Sequence, residues 1–257
     1  MKSDTAILIA ARDSYSDTWP AFFGLLFRYW PDCPYPIYLF SEGKTFPDPR
    51  VLPLLVPADT GRPWLEQWTS RMREGISRIG AERLIVLHTD YFLSEPIDTA
   101  RIKRLDDLLR RDGIGCIRLC PVPPPKIAYP EDASLGIIAK SDKYSVSFQA
   151  AIWKKAVLEF FLKPEWTPAE CESEGSEESC KLKELFLSVK KGLPALPYVH
   201  GISKDTWLYE AVRHLEREGF SVAEGRKREG LASYLSRILF IKMLWYRIKL
   251  TLGWASR

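Results

Sequence analysis

Apolar positions in the first half of the chain fall into short continuous runs separated by amphipathic stretches. Thr5–Ala11 (TAILIAA) is an apolar, β-branched run that stops at Arg12-Asp13-Ser14, the pattern of a strand buried on both faces. Trp19, Phe22, Phe23, Leu26 and Trp30 recur at helical spacing behind Asp17 or Thr18, which can cap the helix. Pro36–Ser41 reads as a second strand, and Val51–Val56 as a third that Pro53 places at an edge. Trp64–Ile79 is an amphipathic helix ended by Gly80. Arg83–Leu87 is the most buried-looking strand and runs into His88-Thr89-Asp90-Tyr91. A helix over Ile102–Leu109 and a strand over Gly115–Leu119 follow. Strands alternating with helices predict an α/β fold, a Rossmann-type mostly parallel sheet flanked by helices, with ligands at the carboxyl ends of the strands.

The second half changes texture. Pro121–Pro130 is Pro-rich and predicts a loop. Leu135–Ala139 and Tyr144–Phe148 predict a hairpin, and Gln149–Leu162 a helix with Trp153 on its buried side. Glu165–Ser179, acidic and rich in Ser, predicts a flexible surface loop. Lys204–Arg217 predicts a helix begun by Ser203 or Asp205. The expected division is a main α/β domain over 1–225 and a basic, aromatic-rich helical tail over 226–257.

Composition adds little until the charge is divided. The formal net charge is +4. From Arg226 to Arg257 there are eight Lys or Arg against Glu229 alone, whereas the remainder holds 29 basic and 32 acidic residues. The basic character belongs to the tail, which argues against a body wrapped in nucleic acid and for an anionic surface such as lipid headgroups. Leu231–Trp254 is apolar and aromatic, punctuated by Arg237, Lys242, Arg247 and Lys249. It is either an interfacial helix in peripheral contact with a membrane or a helix packed on the body or on a second subunit. Five Cys without zinc-knuckle or redox spacing, and an opening without a secretory core, predict a reduced cytoplasmic protein, peripheral on the inner face of the membrane if the tail binds lipid. Cys116 and Cys120, flanking Arg118, read as core thiols, and His214 as a surface residue.

The sharpest chemical signal is the carboxylate of Asp90 at the end of an apolar strand. It either caps a turn or coordinates a divalent cation, Mg2+ or Mn2+, that neutralises a diphosphate. Ala11, Arg12 and Asp13 after the first strand face a nucleotide if the topology is right, Asp13 accepting from base or ribose and Arg12 meeting phosphate; the alternative is a turn made by Asp13 or Ser14. Arg71, three residues after Trp68, either reaches phosphate or is solvated.

The segments ILIAARDSYSD, RYWPDCPYPIYLFSE, LIVLHTDYFL, YSVSFQAAIW and HGISKDTW, in that order, resemble GT-A-type glycosyltransferases, particularly small bacterial enzymes of polysaccharide or lipopolysaccharide assembly. The resemblance implies a GT-A-like fold, a nucleotide-sugar donor, a divalent metal, and transfer of one sugar (hexosyltransferase-like) to a saccharide or lipid-linked saccharide hydroxyl. That family's metal motif offers two acids, where this chain has His88 and Thr89 before Asp90. Either His88 joins Asp90 as a ligand, which suits Mn2+ better than Mg2+, or Asp90 works alone, or metal binding has decayed. Retaining members carry a His…Gly-x-x-Lys…Trp run, which maps onto Gly201 and Lys204. The family's His falls at Tyr198, with His200 displaced next to the Gly. Lys204 and His200 are then expected around the diphosphate. An inverting transfer needs a carboxylate base. The corresponding Trp-Glu-Phe-Glu pattern falls on Ala169-Glu170-Cys171-Glu172, making Glu172 the first choice and Glu170 the second, among seven Glu between 165 and 184. Ser147 and Gln149 either hydrogen-bond the donor sugar or satisfy a helix start. A non-catalytic nucleotide-sugar-binding or scaffold protein is the alternative class. A nucleotidyltransferase would show a Gly-rich basic loop after the first strand, and ARDSYSD has no Gly.

Overall fold

The computed structural model describes residues 4–240. The tail expectations for 241–257 lie outside the described residues. The chain clusters into two compact units, Met1–Tyr198 and Val199–Arg257.

In the first unit the order is β1 (Thr5–Ala10), α1 (Trp19–Tyr29), β2 (Ile37–Ser41), β3 (Val51–Leu55), α2 (Trp64–Ser77), β4 (Arg83–His88), β5 (Tyr91–Leu93), α3 (Thr99–Leu109), β6 (Ile114–Arg118), β7 (Ile127–Ala128), β8 (Leu135–Ile138), β9 (Ala151–Lys154), α4 (Lys155–Phe161), α5 (Pro168–Glu178) and β10 (Leu185–Val189). Nine strands form one sheet in the order β3-β2-β1-β4-β9-β6-β10-β8-β7. Only β8 and β9 run against the rest. This is the expected mixed α/β arrangement with a mostly parallel sheet, and β3 is at its edge.

β1 lies between β2 and β4, in parallel register with both, Ala10 opposite Phe40 and His88. All six residues of β1 are buried, which is why its sequence reads as an unbroken apolar run. After β1 the chain moves outward to β2 and β3, then returns across β1 to β4 and continues to the other side. The sheet therefore reverses its winding between β1 and β4, and the crevice beyond their carboxyl ends is where such a sheet takes a ligand.

Several elements differ from the sequence expectation; the Pro-rich stretch, expected as loop, contains the short strand β7. The helix expected over Gln149–Leu162 is α4 alone. Ala151–Lys154 is instead a central antiparallel strand between β4 and β6. Trp153 on that strand is 1% exposed and meets Phe161 and Phe186 edge-on, with ring centroids 6.1 and 5.9 Å apart. A four-residue apolar run has no decisive period, and ladders on both sides settled it. The loop expected over Glu165–Ser179 is mostly α5. A capping box between Thr167 and Glu170 starts this helix, with Pro168 in its first turn. Its buried face is Cys171, Gly175 and Ser176, small residues that leave almost no hydrophobic signal. Finally, Tyr144–Phe148 forms no hairpin with β8, which pairs β10 and β7. The carbonyls of Tyr144 and Ser145 are taken by the buried Arg118 guanidinium, the latter at 2.9 Å.

In the second unit, Ile202–Ser203 and Thr206–Trp207 pair as a tight hairpin. Its two turn residues, Lys204 and Asp205, have φ of 46° and 60°, as a two-residue turn of this twist requires. The helix expected to begin at Ser203 or Asp205 is α6, Tyr209–Arg217. Lys204 thus sits on a hairpin tip, with no helix N-terminus beside it. His214, expected at the surface, is 4% exposed on the inner side of α6. Residues 231–240 are helical.

Candidate functional site

The loops after β1 and β2 are fastened to each other. The Asp13 carboxylate accepts from the backbone N–H of Glu42, Gly43 and Lys44 at 3.1–3.2 Å, and Glu42 accepts in return from the Asp13 N–H. Glu42 Oε1 also accepts from Trp64 Nε1 at 2.6 Å and from Arg71 Nη1 at 3.2 Å. One carboxylate therefore orients the indole at the start of α2, and Arg71 holds that carboxylate in place. Arg71 is 4% exposed and gives its remaining donors to the Val56 carbonyl, Nε at 3.0 Å. It is neither solvated nor part of the crevice wall. On the shelf so formed, the Arg12 guanidinium lies 4.1 Å above the Trp64 ring.

At the end of β4, His88 Nε2 donates to the Phe148 carbonyl at 3.1 Å, which fixes the proton on Nε2. The N–H of the same residue, Phe148, donates to Glu172 Oε1 at 2.8 Å. One backbone residue thus spaces His88 from Glu172. Tyr91 meets His88 edge-on at 5.2 Å and stacks on Tyr198 at 4.3 Å. Burial, followed by the charges of Asp90 and Glu172, raises the Tyr91 phenol well above its ordinary value and keeps it a neutral hydroxyl. Tyr198 donates to Gln149 Oε1 and is likewise pushed up, first by burial.

Between these walls is a cavity of about 420 Å3. It is lined by Ala10, Ala11, Arg12 and Tyr15 after β1, Trp64 and Trp68 on α2, His88, Thr89, Asp90 and Tyr91 after β4, Phe148, and Pro168, Ala169 and Glu172 of α5. Of the residues expected from sequence to carry chemistry, Ala11, Arg12, His88, Asp90 and Glu172 come together here. Asp13, Arg71, Gln149 and Glu170 stand behind the wall as supports. Glu170 caps α5, its carboxylate accepting from Thr167 N and Oγ1 at 2.7 and 2.8 Å, and those bonds hold its pKa below the usual carboxylate range. His200, Gly201 and Lys204 belong to the second unit, where Gly201 is buried and the other two are exposed.

Sequence reading passed over Glu42 and Trp64. Both flank carboxyl-end loops of the parallel sheet, and that position was the available signal. Among the described residues no group of three or more His, Cys, Asp or Glu is gathered around a metal position. The cavity contributes one guanidinium, two carboxylates and an imidazole. A diphosphate entering it meets two negative side chains for one fixed positive one. A divalent cation held by Asp90 would reverse that balance, and such cations need few protein ligands when phosphate oxygens and water supply the rest.

No protein family and no curated protein matches the sequence. Several solved structures are similar to the chain. One is a cytidylyltransferase from Leptospira borgpetersenii serovar Hardjo-bovis, with 12% identity, a TM-score of 0.47, and 84% of this chain and 95% of that chain covered. Another is S. aureus TarS 1–349, with 10% identity, a TM-score of 0.49 and coverage of 77% and 59%. A third is the mannosyltransferase PcManGT from Pyrobaculum calidifontis in complex with GDP-Man and Mn2+, with 10% identity, a TM-score of 0.49 and coverage of 85% and 64%. The chain spans less than two thirds of the latter two. All three scores are below 0.5, so the likeness assigns no chemistry to this chain.

Proposed function

We propose that the cavity at the ends of β1 and β4 binds a nucleoside-diphosphate sugar. On this reading the protein is a metal-assisted glycosyltransferase that passes the sugar to a saccharide or lipid-linked hydroxyl. The observation that carries it is the meeting, at the reversal point of the sheet, of an Arg-on-indole pair, a strand-end carboxylate and a second carboxylate from α5.

The Arg12 guanidinium, stacked over the face of the Trp64 ring, presents a planar cationic surface that suits a nucleobase or the adjoining phosphate. Asp90, with the oxygens of the diphosphate, suits Mg2+ or Mn2+. A bound cation of this kind supplies charge neutralisation to the departing nucleoside diphosphate. His88 is oriented by the Phe148 carbonyl, the arrangement that usually fixes a ligating imidazole. Glu172 has Oε1 tied to the Phe148 N–H, which aims the carboxylate. It takes the proton of the acceptor hydroxyl as the acceptor oxygen bonds to the anomeric carbon and the bond from that carbon to the diphosphate oxygen breaks. The neutral Tyr91 hydroxyl adds no third negative charge to this space.

The second reading is a non-catalytic nucleotide-sugar-binding or scaffold protein. Thr89, an uncharged residue immediately before Asp90, favours it. A panel of nucleoside diphosphates, each with and without Mn2+ or Mg2+, separates binding from no binding by the melting temperature of the full chain. At least one is expected to raise it, more with metal than without. No rise with any of them refutes both readings. A rise without any turnover of the matching nucleotide sugar leaves the scaffold.

A further inference from the structure

The helix over 231–240 half-buries one side and leaves the other exposed. Its inner side rests within the second unit. The Tyr234 ring stacks on Tyr209 at 4.9 Å. Arg237 Nε and Nη2 donate to the two Glu229 oxygens at 3.0 Å each, and Nη2 also reaches Glu210 at 3.2 Å. Arg237 is the only charged residue between 231 and 240, and it is turned inward. On the other side Leu231, Leu235 and Leu239, one turn apart each time, are 52%, 47% and 59% exposed, and Phe240 is 62% exposed. Ala232 and Ser236 complete that face, so it carries no charge.

The flanks are cationic. Lys227 and Arg228, just before the helix, are exposed. The only acid of 226–257, Glu229, is consumed by Arg237 and by the Tyr209 N–H at 3.1 Å. The sequence beyond 240 adds four Lys or Arg and no acid, together with Trp245, Tyr246 and Trp254. We infer that this leucine face docks on an anionic lipid surface, the leucines and Phe240 entering the boundary between headgroups and acyl chains while the flanking cations meet the headgroups. Charge complementarity selects this occupant. A second copy laid face to face would bring two cationic segments together. No described helix is long and apolar enough to cross a membrane. The inference stands apart from the reading of the cavity.

The test is sedimentation of the full chain with vesicles of phosphatidylcholine alone and of phosphatidylcholine mixed with phosphatidylglycerol. The wild type pellets with the mixed vesicles and little with the neutral ones, and added salt weakens it. Leu235→Asp/Leu239→Asp lowers the partition by about tenfold or more. Leu65→Asp, at a leucine 52% exposed elsewhere, leaves it unchanged. Both variants keep the wild-type melting temperature, because the replaced side chains are exposed. Equal pelleting of the double variant, or no pelleting of the wild type, overturns the inference. So does a concentration-dependent dimer that the double variant dissolves in the absence of vesicle binding; that result assigns the face to a second copy.

Discussion

Glu172→Gln separates structure from chemistry at the cavity. The carboxylate accepts one backbone hydrogen bond, from the Phe148 N–H at 2.8 Å, and the amide oxygen of Gln can accept the same bond. What changes is the charge of the acceptor, and trading a charge-assisted bond for a neutral one costs about 1 kcal/mol. For a chain of this size that lowers the melting temperature by about 2–4 °C. The fold and the Phe148–His88 spacing therefore persist. On the proposed mechanism the proton acceptor is lost, and loss of a general base lowers turnover by about 10²–10⁴-fold, equivalent to roughly 3–5 kcal/mol in the barrier. The assay is release of nucleoside diphosphate from the nucleotide sugar in the presence of acceptor, alongside a thermal melt. Donor affinity stays near the wild-type value, because the residue acts on the acceptor. Turnover within about threefold of wild type, with the melt lowered by no more than those few degrees, would show that Glu172 is not the base.

Three further outcomes follow from the packing. Arg118→Met removes the buried donors to the carbonyls of Val122, Tyr144 and Ser145 and lowers stability by about 2–4 kcal/mol in urea unfolding; a change under about 1 kcal/mol contradicts the account of that segment. Of the five thiols, Cys180 is exposed, whereas burial raises Cys33 to about 11 and Cys171 to about 12 and also raises Cys116 and Cys120. One fast-reacting thiol is expected with Ellman's reagent on the folded protein, and two or more contradict this. The Glu229 pKa is depressed, chiefly by hydrogen bonds from Arg237. Its contribution is present above the unfolded value of about 4.3 and is lost as pH falls through the folded value. Hydrogen exchange over 231–240 should accelerate relative to α6 once the pH falls below that window, and relative protection that stays constant from about pH 6 down to acid unfolding is the opposing result.

The parallel half of the sheet was legible because β1 and β4 are buried on both faces, and two-sided burial writes itself as an unbroken apolar run. Arg12 and Asp90 stood out for the same reason: each interrupts such a run where a parallel strand ends. β9 was illegible because AIWK is too short to show a period, and its pairing partners lie far away in sequence. α5 was illegible because its inner face is built of Cys171, Gly175 and Ser176. Gly175 is there for close approach, since a Cβ on it would stand 3.3 Å from Phe161. Glu172 was singled out only through the family resemblance, and the helix that aims it did not show. The role of Glu42 as the tie between Trp64, Arg71 and the Asp13 loop is purely tertiary, so no local pattern announces it.

The most direct trial of the account concerns Asp90. Release of nucleoside diphosphate from a panel of nucleotide sugars is to be followed for the wild type and for Asp90→Asn, each with Mn2+ and with the metal chelated. The account predicts metal-dependent release by the wild type with at least one donor, reduced about tenfold or more in the variant and by chelation. Release that is as fast in Asp90→Asn as in the wild type and indifferent to the metal would contradict it.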